Sequence, residues 1–359
     1  LLKKSSYILQ LIVYLYIRNT HIMKPVLHFF IFLNLMAVSA NSPYNNNTEA
    51  VPVAYWLGGV DPVVMEDRHN TGGAGADFMD LFKPDAPWQQ SSSKVAVFKI
   101  SMQFASRSSD ADLATLITDL HRRGIKLAIE MGMLENDRGC GKGEGYMPKN
   151  LPAMAMKRIQ HLGGKIDYVA MDEVVFFGHE RYWPDKQGPA CQDSIGEIVR
   201  EAAATVAVIH QYFPQAQVGA VEPITGNQGF APRQLAQDYL SFADRYRVVT
   251  GSNLAFFHAD IAWRSKNWQA GIAPLKEGMH ARGVRFGIII GGNPDYKDNV
   301  SWTRAGLDQL RMLSASPATA PEDVIIQSWQ PLPTNFLPET MPGTSTWMLL
   351  EAEKMMQTH

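Results

Sequence analysis

The sequence predicts a single-domain (β/α)8 barrel, and three observations lead there. Eight short apolar runs rich in β-branched residues start about 30 to 49 residues apart along the chain. Segments of helical period lie between them. A chain with near-continuous apolar strands buried on both faces and helical crossovers builds a parallel sheet, and eight such units in about 300 residues close it into a barrel. The third observation concerns the competing open, doubly wound sheet, which usually carries a Gly-rich phosphate loop directly after its first strand. The nearest match, Thr71-Gly72-Gly73-Ala74-Gly75, sits well beyond the first run with no helical pattern behind it, and reads as a flexible loop.

The predicted strands are, in order, Val53–Val60, Val95–Ser101, Lys126–Gly132, Tyr168–Val174, Gln217–Pro223, Ala255–Trp263, Arg285–Gly292 and Val324–Gln330. Their apolar runs are of strand length. Helices are predicted over Asp110–Arg123, which stops at Gly124, and over Leu151–Leu162, which stops at Gly163-Gly164. An Ala-rich amphipathic helix spans Ser194–Phe213 and stops at Pro214; Arg233–Arg245, Trp268–Arg282, Trp302–Ser314 and Ser345–Gln357 complete the set. Glycine just past a helix supplies the left-handed cap, and proline cannot continue the helix.

The N-terminal region stands apart from this pattern. Met23-Lys24 precedes an apolar run, Val26 to Val38, that ends in Val38-Ser39-Ala40. A charged start, an apolar centre and small residues before a cut describe a secretory signal peptide. The expectation is therefore a signal at residues 23–40, a mispredicted upstream extension at 1–22, a loose Asn-rich N-terminus at 41–50 and the barrel over 51–359. A membrane anchor is the alternative, since Leu9–Ile17 is also apolar, but both runs fall short of the ~20 residues that span a bilayer. The expected location is secreted or periplasmic, without stable membrane association once the signal is removed.

Composition narrows the function. The whole chain has 33 basic and 35 acidic residues, a formal charge of −2. Cleavage after Ala40 leaves 29 against 35, or −6. No basic excess remains to bind nucleic acid or another anionic polymer. Two cysteines exclude a multi-cysteine zinc site and a disulfide-dense scaffold.

The chemistry gathers at the strand ends, where active sites of such barrels lie. Lys99 ends the second strand, Glu130 the third, Asp172-Glu173 the fourth and Glu222 the fifth, while His258 and Asp260 lie on the sixth. Ala128, Ala170 and Ala220 each precede an acid by two residues, which suggests acids leaning into the barrel mouth over a small residue. Trp56, Phe176, Phe177, Trp263 and Trp329 offer aromatic faces, and His179 follows the fourth strand. Acids on several neighbouring strands are costly to gather without a purpose. Lys99 and Glu130 are also readable as an internal ion pair, and His179 and His258 as hydrogen-bonded polar residues. Paired carboxylates in an aromatic-lined cleft suit glycoside hydrolysis, one acid protonating the leaving oxygen and the other acting as nucleophile or activating water. Trp56, Lys99, Glu130, His179, His258, Trp263 and Trp329 are the expected substrate contacts, with carbohydrate as the partner and neither cofactor nor metal implied.

On these residues the chain resembles the secreted TIM-barrel glycoside hydrolases, across roughly residues 51–350. Asp172-Glu173 is similar to the Asn-Glu pair of the large retaining clan, which implies Glu173 as acid/base and Asp172 near the sugar 2-hydroxyl. The clan's nucleophile at the end of strand 7 has no counterpart, because that strand ends Ile289-Ile290-Gly291-Gly292-Asn293. Glu222 or Asp260 is therefore the expected second carboxylate. Three alternatives stay open. A divalent-metal barrel similar to the sugar isomerases would use Glu130, Asp172, Glu222, His258 and Asp260. The others are a non-catalytic carbohydrate-binding barrel and a structural or partner-binding exported protein. The sequence sets no oligomeric state.

Cys140 and Cys191 lie in the long loops after the third and fourth strands. Consecutive barrel strands are neighbours, so the loops emerge side by side, and an oxidising compartment favours pairing. A Cys140–Cys191 disulfide is expected.

Overall fold

The computed structural model describes residues 52–67, 73–141, 143–180, 191–227, 229–293 and 295–357. The expected signal peptide and the other expectations for residues 1–50 lie outside the described residues.

Eight parallel strands close a barrel in chain order. They are β1 Ala54–Gly58, β2 Val95–Ser101, β3 Lys126–Met131, β4 Tyr168–Asp172, β5 Gln217–Ile224, β6 Phe256–Ile261, β7 Arg285–Ile290 and β8 Asp323–Ile326. Closure comes from β1, which pairs with both β2 and β8. All eight predicted strands are present. The expected single-domain (β/α)8 architecture is the observed one.

The inner core takes one residue from every strand: Trp56, Val97, Ala128, Ala170, Val221, Phe256, Ile289 and Ile325. The two alanines leave room for large rings. Trp56 packs edge-on against Phe256 at 4.9 Å and tilts against Tyr168 at 5.2 Å. Side chains of opposite phase enter a much larger cluster between barrel and helices. This partition decides which strand-end residues reach the mouth.

Helix boundaries follow the capping signals. Ser109 accepts from the Asp112 N–H at 3.0 Å to open the helix Asp110–Arg123, and Gly124 closes it at φ 72°. Ser194 and Glu197 form a reciprocal capping box at the start of Ile195–Tyr212. The helix expected to stop at Arg245 runs from Pro232 to Thr250. Tyr246 is buried beneath its last turns, and the residue able to end it is Gly251, at φ 77°. β7 ends without an acid because Gly291 and Gly292 lie against Trp302. A Cβ on either would come within 2.5 Å of the indole ring.

The loop after β3 folds back on itself, with Leu134–Glu135 pairing to Tyr146–Met147. The Cys140–Cys191 disulfide, with Cα atoms 5.2 Å apart, ties it to the loop after β4. Among the described residues, no helix is long and apolar enough to cross a membrane.

Closing a loop with a sequence separation of 51 contributes about 4 kcal/mol in the chain-entropy picture. Thiol titration of the unfolded, unreduced protein is expected to find no reactive cysteine, and reduction is expected to lower the melting temperature. Two reactive thiols per chain would refute the bridge.

Candidate active site

The C-terminal rim carries an open cleft with two lobes. The larger, about 650 Å³, is lined by Glu130, Glu144, Asp172, Glu173, Asp260 and Trp329, with Arg107 and Asp67 on its wall. The smaller, about 400 Å³, includes Trp263, Asn293 and Trp302. Asp260, Gln327 and Trp329 border both, so the lobes adjoin.

Strand phase brings most of these groups inward. Glu130, Asp172 and Asp260 stand two, two and four residues beyond the inner-core residues Ala128, Ala170 and Phe256 of their strands. Gln327 lies two beyond Ile325. Lys99, fully buried on β2, makes an ion pair with Glu130. The Gln327 amide and the Trp329 indole N–H each donate to Glu130 Oε1 at 3.1 Å. Glu130 therefore has its charge and lone pairs satisfied inside the protein, which is the ion-pair alternative for Lys99 and Glu130.

Asp172, Glu173 and Asp260 are less compensated. Burial, then the Glu130 and Glu144 carboxylates, pushes Asp172 well above the usual carboxylate range, against the pull of Lys99. Burial also pushes Glu173 well above the usual range, followed by Glu144, Asp172 and Asp260. Asp260 rises to about 6, through burial and then Glu144 and Glu130. Like charges crowded in a sheltered site favour protons.

Glu173 leaves β4 with φ 50°, a left-handed conformation that non-glycine residues adopt only when their surroundings hold them there. Its N–H donates to the Val221 carbonyl at 2.8 Å, and its carbonyl accepts from Phe177 at 3.0 Å. The adjoining turn is held by Glu222. Glu222 Oε1 accepts from the Val175 N–H at 2.8 Å and Oε2 from the Phe176 N–H at 3.0 Å.

This placement corrects the expectation that Glu222 faces the cleft. Asp172 pairs in register with Val221, so Val221 is the inward residue of β5 and Glu222 points to the helix layer. The alanine beneath it, Ala220, belongs to the outer core. Three other expected contacts also lie elsewhere. Trp56 fills the barrel interior. His258, fully buried, is stacked on Phe256 at 4.3 Å and lies 3.3 Å from Asp323 at the start of β8, so it sits below the cleft. Burial lowers its pKa despite Asp323. His179 bonds through Nδ1 with the Asp193 carbonyl at 2.6 Å and clusters with Glu180 and Asp238, away from the cleft. Trp263 and Trp329 do line it. The metal set Glu130, Asp172, Glu222, His258 and Asp260 consequently does not assemble.

Sequence reasoning missed Glu144 and Gln327. Glu144 brings an oxygen within 4.8 Å of ligand atoms of Asp172 and Glu173. Its signal was the length of the loop after β3 on the active face. Gln327 shares the phase of Ile325 within the predicted eighth strand.

No protein-family model and no curated protein matches the chain. Solved structures do match in fold. A putative alpha-L-fucosidase from Bacteroides thetaiotaomicron is 10% identical with a TM-score of 0.54, over 89% of this chain and 99% of that one. A GH10 protein from Paenibacillus barcinonensis is 10% identical with a TM-score of 0.46, over 84% and 96%. D-Psicose 3-epimerase from Clostridium cellulolyticum H10 is 11% identical with a TM-score of 0.43, over 85% and 97%. At 10% identity the likeness to the first of these is one of fold alone.

Burial lifts the Glu222 carboxyl from 4.5 to about 8, against two N–H donors that lower it. The native state thus holds a proton here that the unfolded chain releases between those values. The stability this contributes is present below about 4.5 and is lost as pH rises through about 8. Glu222→Gln keeps one acceptor and turns an NH2 toward a backbone N–H, at a cost of about 1–3 kcal/mol. Denaturant unfolding at pH 5 and pH 8 is expected to show a less stable variant at pH 5 and a shallower decline toward pH 8. An unchanged stability and slope would contradict this role.

Proposed function

We propose that the chain is an exported glycoside hydrolase acting on a poly- or oligosaccharide, with Glu173 as proton donor and Asp260 as the second carboxylate. The observation that carries this reading is that both line one open cleft, where burial and neighbouring carboxyls raise Glu173 well above the usual carboxylate range and Asp260 to about 6. On this reading Glu173 keeps its proton at neutral pH and Asp260, at about 6, has lost its own. One acid ready to give a proton and one carboxylate ready to attack, or to activate water, is the division of labour that glycoside hydrolysis requires.

The neighbouring groups support these roles. Asp172 stands beside Glu173 in the larger lobe and is available to a sugar hydroxyl. Trp263 and Trp329 offer apolar faces for pyranose rings. The Cys140–Cys191 bridge fits an oxidising compartment.

A second reading has one observation in its favour. Glu144, Asp172 and Glu173 present ligand oxygens within 4.8 Å of one another, a hard-oxygen set suited to a divalent cation. Chelation separates the two. Hydrolysis that survives chelator supports the first, and activity lost to chelator and restored by a divalent ion supports the second.

Hydrolysis is to be screened with a polysaccharide panel on the oxidised protein. Glu173→Gln is expected to lower kcat by 10²–10⁴-fold, the usual worth of a positioned acid, with the fold intact by circular dichroism. Unchanged turnover would remove Glu173 from this role. Asp260 must be ionised and Glu173 protonated, so kcat/KM is expected to rise with pH through about 6 and to fall at higher pH as Glu173 loses its proton. An Asp260→Asn variant that retains full activity and the same acid limb would exclude Asp260.

A further inference from the structure

Among the described residues, the larger lobe is lined by more acids than bases. Its one described lining cation is Arg107, and the guanidinium is engaged by Asp67, Nη1 to Oδ1 at 2.9 Å. Lys99, beneath the floor, is committed to Glu130. Asp172, Glu173 and Asp260 share the lobe with no ion pair to any described Lys or Arg.

Glu173 adds an independent observation. It is only 8% exposed and lines the lobe, yet its carboxyl has neither a hydrogen bond nor an ion pair among the described residues. A carboxyl buried to this degree normally has a partner supplied by the protein or by a ligand. Glu144 and Asp172 bring oxygens within 4.8 Å of it. That spacing suits a single compact cation with several N–H donors, which a protonated primary amine provides. The surrounding lobe, about 650 Å³ and open to a second lobe carrying Trp263, has room for a sugar attached to that amine.

We propose that the larger lobe is an ammonium subsite formed by Glu144, Asp172 and Glu173, and that the substrate is a glycan containing free amino sugars. The inference rests on the glycoside hydrolase reading and deepens it by naming a substrate class. An N-acetylated sugar would bring a neutral amide to the same oxygens and leave their repulsion in place. Glu173 accepts one ammonium N–H on its carbonyl oxygen and keeps its O–H for the leaving oxygen, while Asp172 and Glu144 accept the other N–H groups.

The test is equilibrium binding by calorimetry to the oxidised protein at low ionic strength. The probes are glucosamine and galactosamine oligomers, each beside its fully N-acetylated counterpart of equal length. At least one free-amine oligomer is expected to bind tenfold or more tightly than its counterpart. The preference is expected to shrink in 0.5 M salt and to fall at least threefold in Glu144→Gln, an exposed loop position where the fold should persist. A second variant, Asp172→Asn, is expected to do the same, with its melting temperature as a check on folding. Equal or tighter binding of both N-acetylated oligomers would overturn the proposal, as would a preference unchanged in two folded variants. Calcium or manganese alone binding tightly and excluding the amines would overturn it too, in favour of a metal at these oxygens. Amine-selective binding without cleavage would sink the hydrolase reading and leave the subsite standing; cleavage of neutral glycans without amine preference would do the reverse.

Discussion

Two hydrogen bonds, donated by the Val175 and Phe176 N–H groups to the buried Glu222 carboxyl, hold the turn that presents Glu173. The strand β4 ends at Asp172, and the next residue adopts φ 50°. A glutamate in that conformation costs energy that the surroundings must offset. The offset comes from the neighbouring strand, where the Val221 carbonyl accepts from the Glu173 N–H and the Glu222 carboxyl accepts from the Val175 and Phe176 N–H groups. The direction of the catalytic candidate is thus fixed by β5, from the outer face of the barrel. Removing Glu222 would disturb the site without that side chain ever entering the cleft.

The same geometry concentrates carboxyls on one side of the mouth. Lys99 and Glu130 neutralise one another in the barrel floor, with Gln327 and Trp329 completing the bonds to Glu130. Above that pair, burial and then like-charge repulsion make Asp172, Glu173 and Asp260 hold protons more tightly than ordinary carboxyls. Shifts of this kind are what the proposed acid–base chemistry needs, and the same acids are the ones proposed to receive a positive charge.

Much of the fold was legible in the sequence because its signals are local. Apolar runs of strand length, Gly124 after a helix and the Ser194/Glu197 pair each act within a few residues. Part of the site was legible for the same reason: Asp172, Glu173, Asp260, Trp263 and Trp329 follow strand ends and line the cleft. Glu222 shows where local signals stop. Spacing puts Ala220 and Glu222 on one face of β5 but does not say which face. Only the pairing of Asp172 with Val221 decides that, and register is a property of two strands. Trp56 and His258 were misread because strand phase puts a side chain inside the barrel without giving its height. Trp56 sits in the inner core and His258 beside Asp323 at the opposite end of β8. Glu144 was missed because its position depends on how a long loop folds back over the mouth.

The central claim is that Glu173 keeps its proton at neutral pH because of where this turn holds it. Infrared difference spectroscopy between the wild-type protein and Glu173→Gln reads that proton directly. The account predicts the C=O stretch of a protonated carboxylic acid at pH 7 in the wild type, absent from the variant and lost on raising the pH. A difference spectrum at pH 7 with only the paired carboxylate stretches of an ionised side chain would contradict it.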